Sequence, residues 1–276
     1  MSALTGRFQR ARGDERLAVL EGFHALKHAL RFGAQVEVVA AVDPEGLERM
    51  AAELAPDLAG RFRALAGEPV TPELLGTLAP HVPRTQLLAI ARRPRFDAAA
   101  LRAPGTRPVV LLEDPRDRGN VGAVVRVAAA AEAAGVVTTG MHDPWDPTAL
   151  RGSAGLHFAL PVGRDDGFVE GLADARAGGA AGAADPRAGG PAPRRPLLAI
   201  DPDGDVLDPA ALPPDAVLAF GTERHGLSDA LLARADARLR LPMRAGVSSI
   251  NLATAVAAVL YAWRLSGGAA VSASAR

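Results

Sequence analysis

Three short segments in the second half of the chain each join an apolar, strand-like run to a helix-like run through glycines and small polar residues. In an open α/β sheet, ligands bind in the crevice beyond the carboxyl ends of the strands, which is where such junctions lie. Three junctions of this kind predict one site assembled from distant parts of the chain. The segments are Gly119-Asn120-Val121-Gly122, then Phe220-Gly221-Thr222-Glu223, then Leu241-Pro242-Met243 leading to Ser249-Ile250-Asn251.

The pattern of apolar residues predicts an α/β fold with a mostly parallel sheet covered by helices on both faces. In the second half, short apolar runs alternate with stretches of helical periodicity. We expect strands at 109–113, 136–139, 158–162, 197–200, 217–220 and 238–241, and helices at 121–134, 168–175, 227–235 and 250–265.

The first part of the chain predicts a smaller α/β unit of its own. Residues 1–15 are polar and rich in arginine, and we expect them to be frayed. Apolar residues then recur at helical spacing over 17–32, and strands are expected at 36–42 and 86–91. The domains are therefore predicted as 1–95, a linker at 96–106 that contains Pro104 and Gly105, and 107–276. Residues 176–195 offer almost nothing large to bury, which predicts a mobile surface insertion.

Composition excludes several classes of protein. The chain has no cysteine, which rules out disulfides, cysteine–zinc sites and thiol nucleophiles. Its longest strongly apolar stretch, Leu252 to Trp263, is shorter than the roughly 20 residues that span a bilayer. The N-terminus has no apolar signal core, so we expect a cytoplasmic protein without membrane contact. The formal net charge is zero and gives no global signal for nucleic acid.

The first segment contains the side chains best suited to chemistry. Gly119 and Gly122 let the backbone turn tightly beside a ligand. Arg126 follows within the second turn of a helix that is expected to start near Val121. Because its neighbours are valines, we expect Arg126 to be partly buried and to need a partner. A salt bridge to Glu132 or a solvated helix face would also explain this arginine.

The three segments together resemble the signature motifs of the SpoU (TrmH-type) RNA ribose 2'-O-methyltransferases of the SPOUT superfamily. The resemblance implies S-adenosylmethionine as cofactor and a deep trefoil knot in the catalytic domain. It implies catalytic roles for Asn120, Arg126, Glu223, Ser249 and Asn251. It implies a cofactor pocket formed by Phe220, Gly221, Leu241, Met243 and Ile250.

The resemblance extends to partners. Residues 21–30 are similar to the opening of the substrate-binding domain, folded like ribosomal protein L30e, that precedes many such catalytic domains. It implies that structured RNA is bound, rRNA first and tRNA as an alternative, with Arg118 and Arg151 as candidate RNA contacts. It also implies a homodimer through the catalytic domain, to which the apolar residues of the final helix, including Tyr261, are expected to contribute.

Other functions fit the sequence less well. A nucleotide-binding oxidoreductase needs the complete GxGxxG fingerprint, which the first segment lacks. A catalytically inactive RNA-binding protein of the same fold would be expected to lose motif residues that are present here. Asp143 and Asp146 lie beside prolines, which favours turns, so no metal site is expected.

Overall fold

The computed structural model describes residues 3–65, 67–174, 194–222 and 225–268. They belong to two compact units, one made of residues 1–95 and 145–159 and the other of residues 96–144 and 160–276. The predicted insertion at 176–195 lies outside the described residues, apart from Arg194 and Arg195. No helix in the described ranges is both long enough and apolar enough to cross a membrane.

Helices and strands alternate along most of the chain. The helices are α1 Ala3–Gly13, α2 Phe23–Arg31, α3 Pro44–Leu54, α4 Ala59–Ala64, α5 Pro72–Leu78, α6 Ala98–Arg102, α7 Arg118–Ala130, α8 Pro147–Gly152, α9 Phe168–Asp174, α10 Asp229–Leu232 and α11 Leu252–Trp263. The strands are β1 Leu17–Glu21, β2 Val36–Ala41, β3 Glu68–Pro69, β4 Leu87–Arg92, β5 Val109–Leu112, β6 Gly135–Thr138, β7 Val162–Arg164, β8 Leu197–Val206, β9 Val217–Phe220 and β10 Ala237–Arg240.

The first unit is built on a four-stranded sheet in the order β1-β4-β2-β3. β4 is antiparallel to both β1 and β2, and the short β3 is parallel to β2. Helices α1 and α5 supply buried residues to the same core as these strands, including Phe8 and Leu75. The predicted α/β unit of the first 95 residues is therefore present as a mixed sheet with helices packed on it.

Two predictions for this unit are wrong. Residues 17–32 do not form one helix, because Leu17–Glu21 is a strand paired with β4 and only Phe23–Arg31 is helical. Gly22, at φ 92°, separates the two elements in a conformation that favours glycine. The N-terminal residues are not frayed either, since α1 buries Leu4 and Phe8 in the core. A short apolar run alone does not distinguish a buried strand from a helix.

The segment Trp145–Ala159 packs with the first unit, although the predicted domain boundaries assign it to the second domain. Arg151, on α8, contacts Glu21 at the end of β1 with 2.9 Å between Nη1 and Oε2. Nδ1 of His28 donates to the carbonyl oxygen of Ala154 at 2.8 Å. Gly155, at φ 79°, approaches α2 so closely that a Cβ would lie 2.4 Å from the carbonyl oxygen of Ala25. These contacts anchor the segment on β1 and α2.

The second unit contains a six-stranded sheet in the order β10-β8-β9-β5-β6-β7, and every pair of neighbours is parallel. All residues of β5, β6 and β9 are buried, as expected for strands covered by helices on both faces. The predicted α/β fold with a mostly parallel sheet is confirmed. The third predicted strand is displaced, because residues 156–158 form a 3₁₀ turn and β7 begins only at Val162. The trefoil knot stays a prediction.

The predicted linker at 96–106 is partly structured. It contains α6, whose Leu101 belongs to the core of the second unit. The buried Arg195 binds this region through three backbone carbonyl oxygens, those of Ala103, Arg107 and Asp215, at 2.7–2.8 Å. Residues 103–107 are therefore held against the start of β8 instead of forming a free connection.

Removal of the charge of Glu21 should destabilise the first unit. The Glu21 side chain is only 4% exposed and contacts both Arg12 and Arg151. Glu21→Gln leaves two arginines without their carboxylate partner. Because both arginines are partly exposed, the substitution should lower the free energy of unfolding by roughly 1–3 kcal/mol. Urea denaturation followed by Trp145 fluorescence, in a Trp263→Phe background, measures this change.

The matched control is Glu45→Gln, since Glu45 is 91% exposed and contacts Arg49 at 3.7 Å. An exposed pair of this kind contributes at most about 1 kcal/mol and often much less. Equal effects of the two substitutions would contradict the structural role assigned to Glu21.

Candidate active site

The three glycine-containing segments meet at the carboxyl edge of the second unit's sheet. β8, β9 and β5 are neighbours in that sheet, and all run in the same direction. The first segment follows β5 and the second follows β9, while the third follows the edge strand β10. Parallel strands bring all these loops to one edge, so residues more than a hundred positions apart form one site.

One cavity at this edge has a volume of about 530 Å³, within the range of small-molecule sites. Apolar side chains form much of its wall, and backbone and hydroxyl groups of residues 248–251 form another part. All five residues predicted to hold the cofactor line it, together with two of the predicted catalytic residues. They are Phe220, Gly221, Leu241, Met243 and Ile250, and then Ser249 and Asn251.

A side-chain hydrogen bond joins the first and third segments. Nδ2 of Asn251 donates to Oδ1 of Asn120 at 3.0 Å. Oδ1 of Asn251 also accepts from the backbone N–H groups of Ala253 and Thr254, which caps the start of α11. Asp117 caps α7 in the same way by accepting from the backbone N–H of Asn120. The first turns of α7 and α11 are therefore held side by side.

The second segment forms a tight loop. Thr222 and Gly226 exchange two backbone hydrogen bonds of 3.0–3.1 Å, and Gly226 has φ 65°. Gly221 has no room for a side chain, because a Cβ there would lie 2.0 Å from the backbone carbon of Gly226. Glu223, predicted to be catalytic, lies with Arg224 at positions outside the described residues. Steric and conformational limits thus explain both glycines of this loop.

Glu113 connects this loop to the end of β5. One carboxylate oxygen accepts from the backbone N–H of Ser228 at 2.7 Å and the other accepts from its hydroxyl at 2.6 Å. Sequence reasoning noted Glu113 only as the end of a strand and assigned it no role. Its position directly after a buried strand, at the edge of the sheet where ligands bind, is the sequence feature that indicates a role.

A second cavity, of about 920 Å³, adjoins the first. Both cavities are bordered by Thr222 and Gly226. The second is lined by residues of the first and second segments and their surroundings: Glu113, Asp114, Arg116, Asp117, Asn120, His225, Leu227 and Ser228. Asn120 and Asn251, which line different cavities, are bonded to each other, so their hydrogen bond lies where the two cavities meet.

Arg126 differs from its prediction. It is exposed, so the expectation of partial burial among valines is wrong. Its helix starts at Arg118, which puts Arg126 in the third turn, where the adjacent Val124 and Val125 face the core and Arg126 faces solvent. Glu132, considered as its salt-bridge partner, contacts Arg264 instead at 3.1 Å. Arg126 is not among the residues that line either cavity.

The two candidate RNA contacts lie in different units. Arg118 is the exposed first residue of α7, beside Asp117 and close in sequence to Asn120. Arg151 lies in the first unit, where it contacts Glu21, and 46% of its side chain is exposed. Within the second unit, the structure brings Asn120, Ser249 and Asn251 together with the predicted cofactor residues.

Substitution of Asn251 should separate its capping role from its other contacts. Asn251→Ala removes the acceptor for two backbone N–H groups of α11, which should lower the free energy of unfolding of the second unit by about 1–2 kcal/mol. Asn251→Asp retains a good capping acceptor and should cost less than about 0.5 kcal/mol. Trp263 fluorescence during urea denaturation, in a Trp145→Phe background, reports on this unit. Equal losses in both variants would show that the cap is not what stabilises α11.

Comparison with known proteins identifies the family. Residues 107–261 match the model of the SpoU rRNA Methylase family. An uncharacterized tRNA/rRNA methyltransferase of Mycobacterium tuberculosis is 33% identical over 236 residues, which cover 80% of this chain and 73% of the relative. A 23S rRNA (uridine(2479)-2'-O)-methyltransferase of Streptomyces viridochromogenes is 34% identical over 157 residues, covering 55% of this chain and 50% of that protein.

Solved structures agree with this assignment. The SpoU methyltransferase AviRb from Streptomyces viridochromogenes superimposes with a TM-score of 0.72 at 26% identity, covering 95% of this chain and 98% of AviRb. AviRb has also been solved in complex with AdoMet, and that structure has a TM-score of 0.72 at 24% identity, covering 96% of this chain and 98% of AviRb. The family match covers more than half of this chain and includes the segments that form the two cavities. The chain belongs to the SpoU rRNA methylase family, which confirms the predicted class of RNA methyltransferase with S-adenosylmethionine as cofactor.

Proposed function

We propose that the protein transfers a methyl group from S-adenosylmethionine to a ribose 2'-hydroxyl of structured RNA, with rRNA as the substrate class. The observation that supports this most strongly is the Asn120–Asn251 hydrogen bond, which lies where the two cavities meet. A methyl donor in one cavity and a ribose in the other would approach each other at this junction. Transfer requires the attacking oxygen to be held in line with the methyl group, which a fixed junction favours.

The smaller cavity fits the cofactor. Phe220, Leu241 and Ile250 offer apolar surface to a flat ring, and residues 248–251 add hydroxyl and amide groups. Gly226 borders both cavities, and its φ of 65° is a conformation that favours glycine. When bound, S-adenosylmethionine supplies an activated methyl group on its sulfonium, so the chain's own residues need only bind and orient the two reactants and stabilise the developing charge.

Asn120, Ser249 and Asn251 are proposed to position the ribose and the cofactor. Asn120 lines the larger cavity, while Ser249 and Asn251 line the smaller one. The amide groups of the two asparagines fix each other, which limits the rotamers that either can adopt. Glu223 stays a proposed contributor from the loop between Thr222 and His225.

Arg126 is proposed to hold the phosphate next to the reacting ribose and to stabilise the developing alkoxide. An arginine remains protonated in proteins and does not act as a general base, so the proton passes to phosphate or water. Arg126 is exposed, and the described residues offer it no hydrogen bond or ion pair, which leaves its guanidinium available to a phosphodiester. Arg118, at the start of the same helix, is proposed as a further RNA contact.

Arg126→Ala should remove most of the methylation rate and leave cofactor binding nearly unchanged. Loss of a single electrostatic group of this kind commonly raises the barrier by roughly 3 kcal/mol, about a hundredfold in rate. The measurement is transfer of labelled methyl from S-adenosylmethionine to purified ribosomal RNA, with calorimetry of S-adenosylhomocysteine binding in parallel. Arg107→Ala, also an exposed arginine of this unit, is the control and should retain wild-type activity.

Full activity of Arg126→Ala would contradict the role given to this residue. Methylation of transfer RNA with no methylation of ribosomal RNA would replace rRNA by the tRNA alternative. Binding of the cofactor without methylation of any RNA would favour the non-catalytic RNA-binding protein. A cytoplasmic location is proposed together with this function.

The first unit is proposed to bind the RNA substrate, with Arg151 as a contact at its surface. Arg151 keeps close to half of its side chain exposed while it contacts Glu21, so an RNA phosphate can still approach it. The predicted likeness of this unit to ribosomal protein L30e belongs to the same proposal.

A homodimer through the second unit is also proposed, on a narrower basis than the sequence suggested. Most of the apolar residues of α11 are buried within the chain itself, including Val256, Leu260 and Trp263. Tyr261 and Leu265 remain exposed on one side of the C-terminal end, at 41% and 84%. Light scattering at micromolar concentration should give twice the mass of the chain, and Leu265→Glu should shift it toward the monomer. A monomeric wild-type protein would contradict the dimer.

A further inference from the structure

Strand β8 interrupts its pairing with β10 for five residues and then resumes it. Ala199 pairs with Arg238 of β10, yet the next residue of β10, Leu239, pairs with Asp205. The pairing with β10 therefore skips residues 200–204 of β8. Ile200 still pairs with Phe220 of β9, so residues 201–204 form the bulge. Gly204 closes this bulge against β10, where a Cβ would lie 2.5 Å from the backbone carbon of Arg238.

Asp201 is the residue of this bulge with the most unusual environment. It is 8% exposed, and its Oδ1 accepts both from Nη2 of Arg238 at 2.7 Å and from the backbone N–H of Asp203 at 3.0 Å. The same hydrogen bond raises the pKa of Arg238 above its usual value. Within the described part of the chain, no hydrogen bond reaches Oδ2 of Asp201. One oxygen of a largely buried carboxylate is thus occupied twice and the other is left available.

Asp201 also lines the smaller cavity, between Ile200 and Pro202. It is the one charged side chain among the described residues that line this cavity. A buried carboxylate beside apolar side chains is costly unless its oxygens accept hydrogen bonds. Arg238 and the backbone N–H of Asp203 occupy one oxygen, and the other can accept a hydrogen bond from a donor group of a ligand in the cavity.

We propose that Asp201 accepts a hydrogen bond from the adenosine half of S-adenosylmethionine and so contributes to selection of this cofactor. The inference rests on the proposed function. Asp201 lies in β8, two strands away from β5, whose loop carries Asn120. At about 4.8 Å per strand this separation is roughly 10 Å, so a donor at Asp201 belongs to a part of the cofactor remote from the transferred methyl group.

The composition of the cavity wall favours the adenosine half over the amino-acid half. Ile200, Phe220, Leu241 and Ile250 border the same cavity and suit the faces of an adenine ring. The ribose hydroxyls and the adenine amino group are the donors that accompany this ring. A carboxylate accepts from such donors, as acidic residues do from ribose hydroxyls in dinucleotide-binding proteins.

The test compares two ligands by calorimetry on the full chain. S-adenosylhomocysteine has both halves of the cofactor, whereas 5'-methylthioadenosine lacks the amino acid. Asp201→Asn keeps an oxygen for Arg238 and Asp203 but turns an amide donor toward the ligand. The substitution should lower the affinity for both ligands by the same factor, roughly tenfold to a hundredfold, as expected for loss of a hydrogen bond to a charged group.

The matched control is Asp203→Asn. It removes the same charge two residues further along the chain, at a side chain that is 89% exposed. It should bind both ligands like the wild type. If Asp201→Asn unfolds at a clearly lower temperature than the control, Asp201→Glu serves as the second variant. Asp201→Glu keeps the charge but displaces the free oxygen by the length of one methylene group. It should also lower the affinity for both ligands.

Three results would overturn the inference. Unchanged affinity of a folded Asp201 variant for both ligands would show that the carboxylate makes no contact with them. Weakened binding of S-adenosylhomocysteine alone would place the contact on the amino-acid half. A wild-type protein that binds neither ligand would refute the cofactor assignment itself, and this outcome is distinct from the other two because it precedes any substitution.

Discussion

The hydrogen bond between Asn120 and Asn251 joins the starts of two helices that are 131 positions apart in the sequence. Arg264 joins the other ends of the same helices, through the carbonyl oxygen of Ala131 and the carboxylate of Glu132. α7 and α11 are therefore tied at both ends, side by side on the sheet. Both cavities depend on this arrangement, because each is bordered by the first turn of one of the two helices.

Polar contacts at the sheet edge complete the site around this pair of helices. Glu113 fixes the loop after β9 to the end of β5 through two hydrogen bonds to Ser228. That loop folds back on itself because Gly221 leaves no side chain in the way and Gly226 adopts a positive φ. The site is thus defined mainly by backbone positions, and this explains why small residues, more than catalytic side chains, dominate the three segments.

The parts of the fold that sequence could predict are those with a strong periodic signal. β5, β6 and β9 are runs of consecutive apolar residues between helical stretches, and such runs are typical of buried parallel strands. The five predicted cofactor residues could be placed together because strand-to-helix junctions meet at one edge of a parallel sheet. In contrast, the apolar pattern predicts a helix at β1, because four consecutive apolar residues fit either a helix or a strand until the partner strand is known.

Other features depend on contacts that are distant in sequence and carry no local signal. The exposure of Arg126 follows from where α7 starts and which of its faces meets the sheet. Attachment of residues 145–159 to the first unit depends on the buried Glu21, which lies 130 positions from Arg151. Asp201 could not be singled out, because only the three-dimensional pairing shows that the ladder between β8 and β10 skips residues 200–204.

Family membership and geometry lead to one central claim, that the junction marked by Asn120 and Asn251 is where a methyl group passes to a ribose oxygen. The most direct measurement is mass spectrometry of nucleosides from unmodified ribosomal RNA after incubation with the wild-type protein and S-adenosylmethionine. We expect the wild-type protein to form a nucleoside that carries the added methyl on its ribose. We expect an Asn120→Ala variant to bind the cofactor but to form little of this nucleoside. A methyl group on the base, or undiminished product from that variant, would contradict this claim.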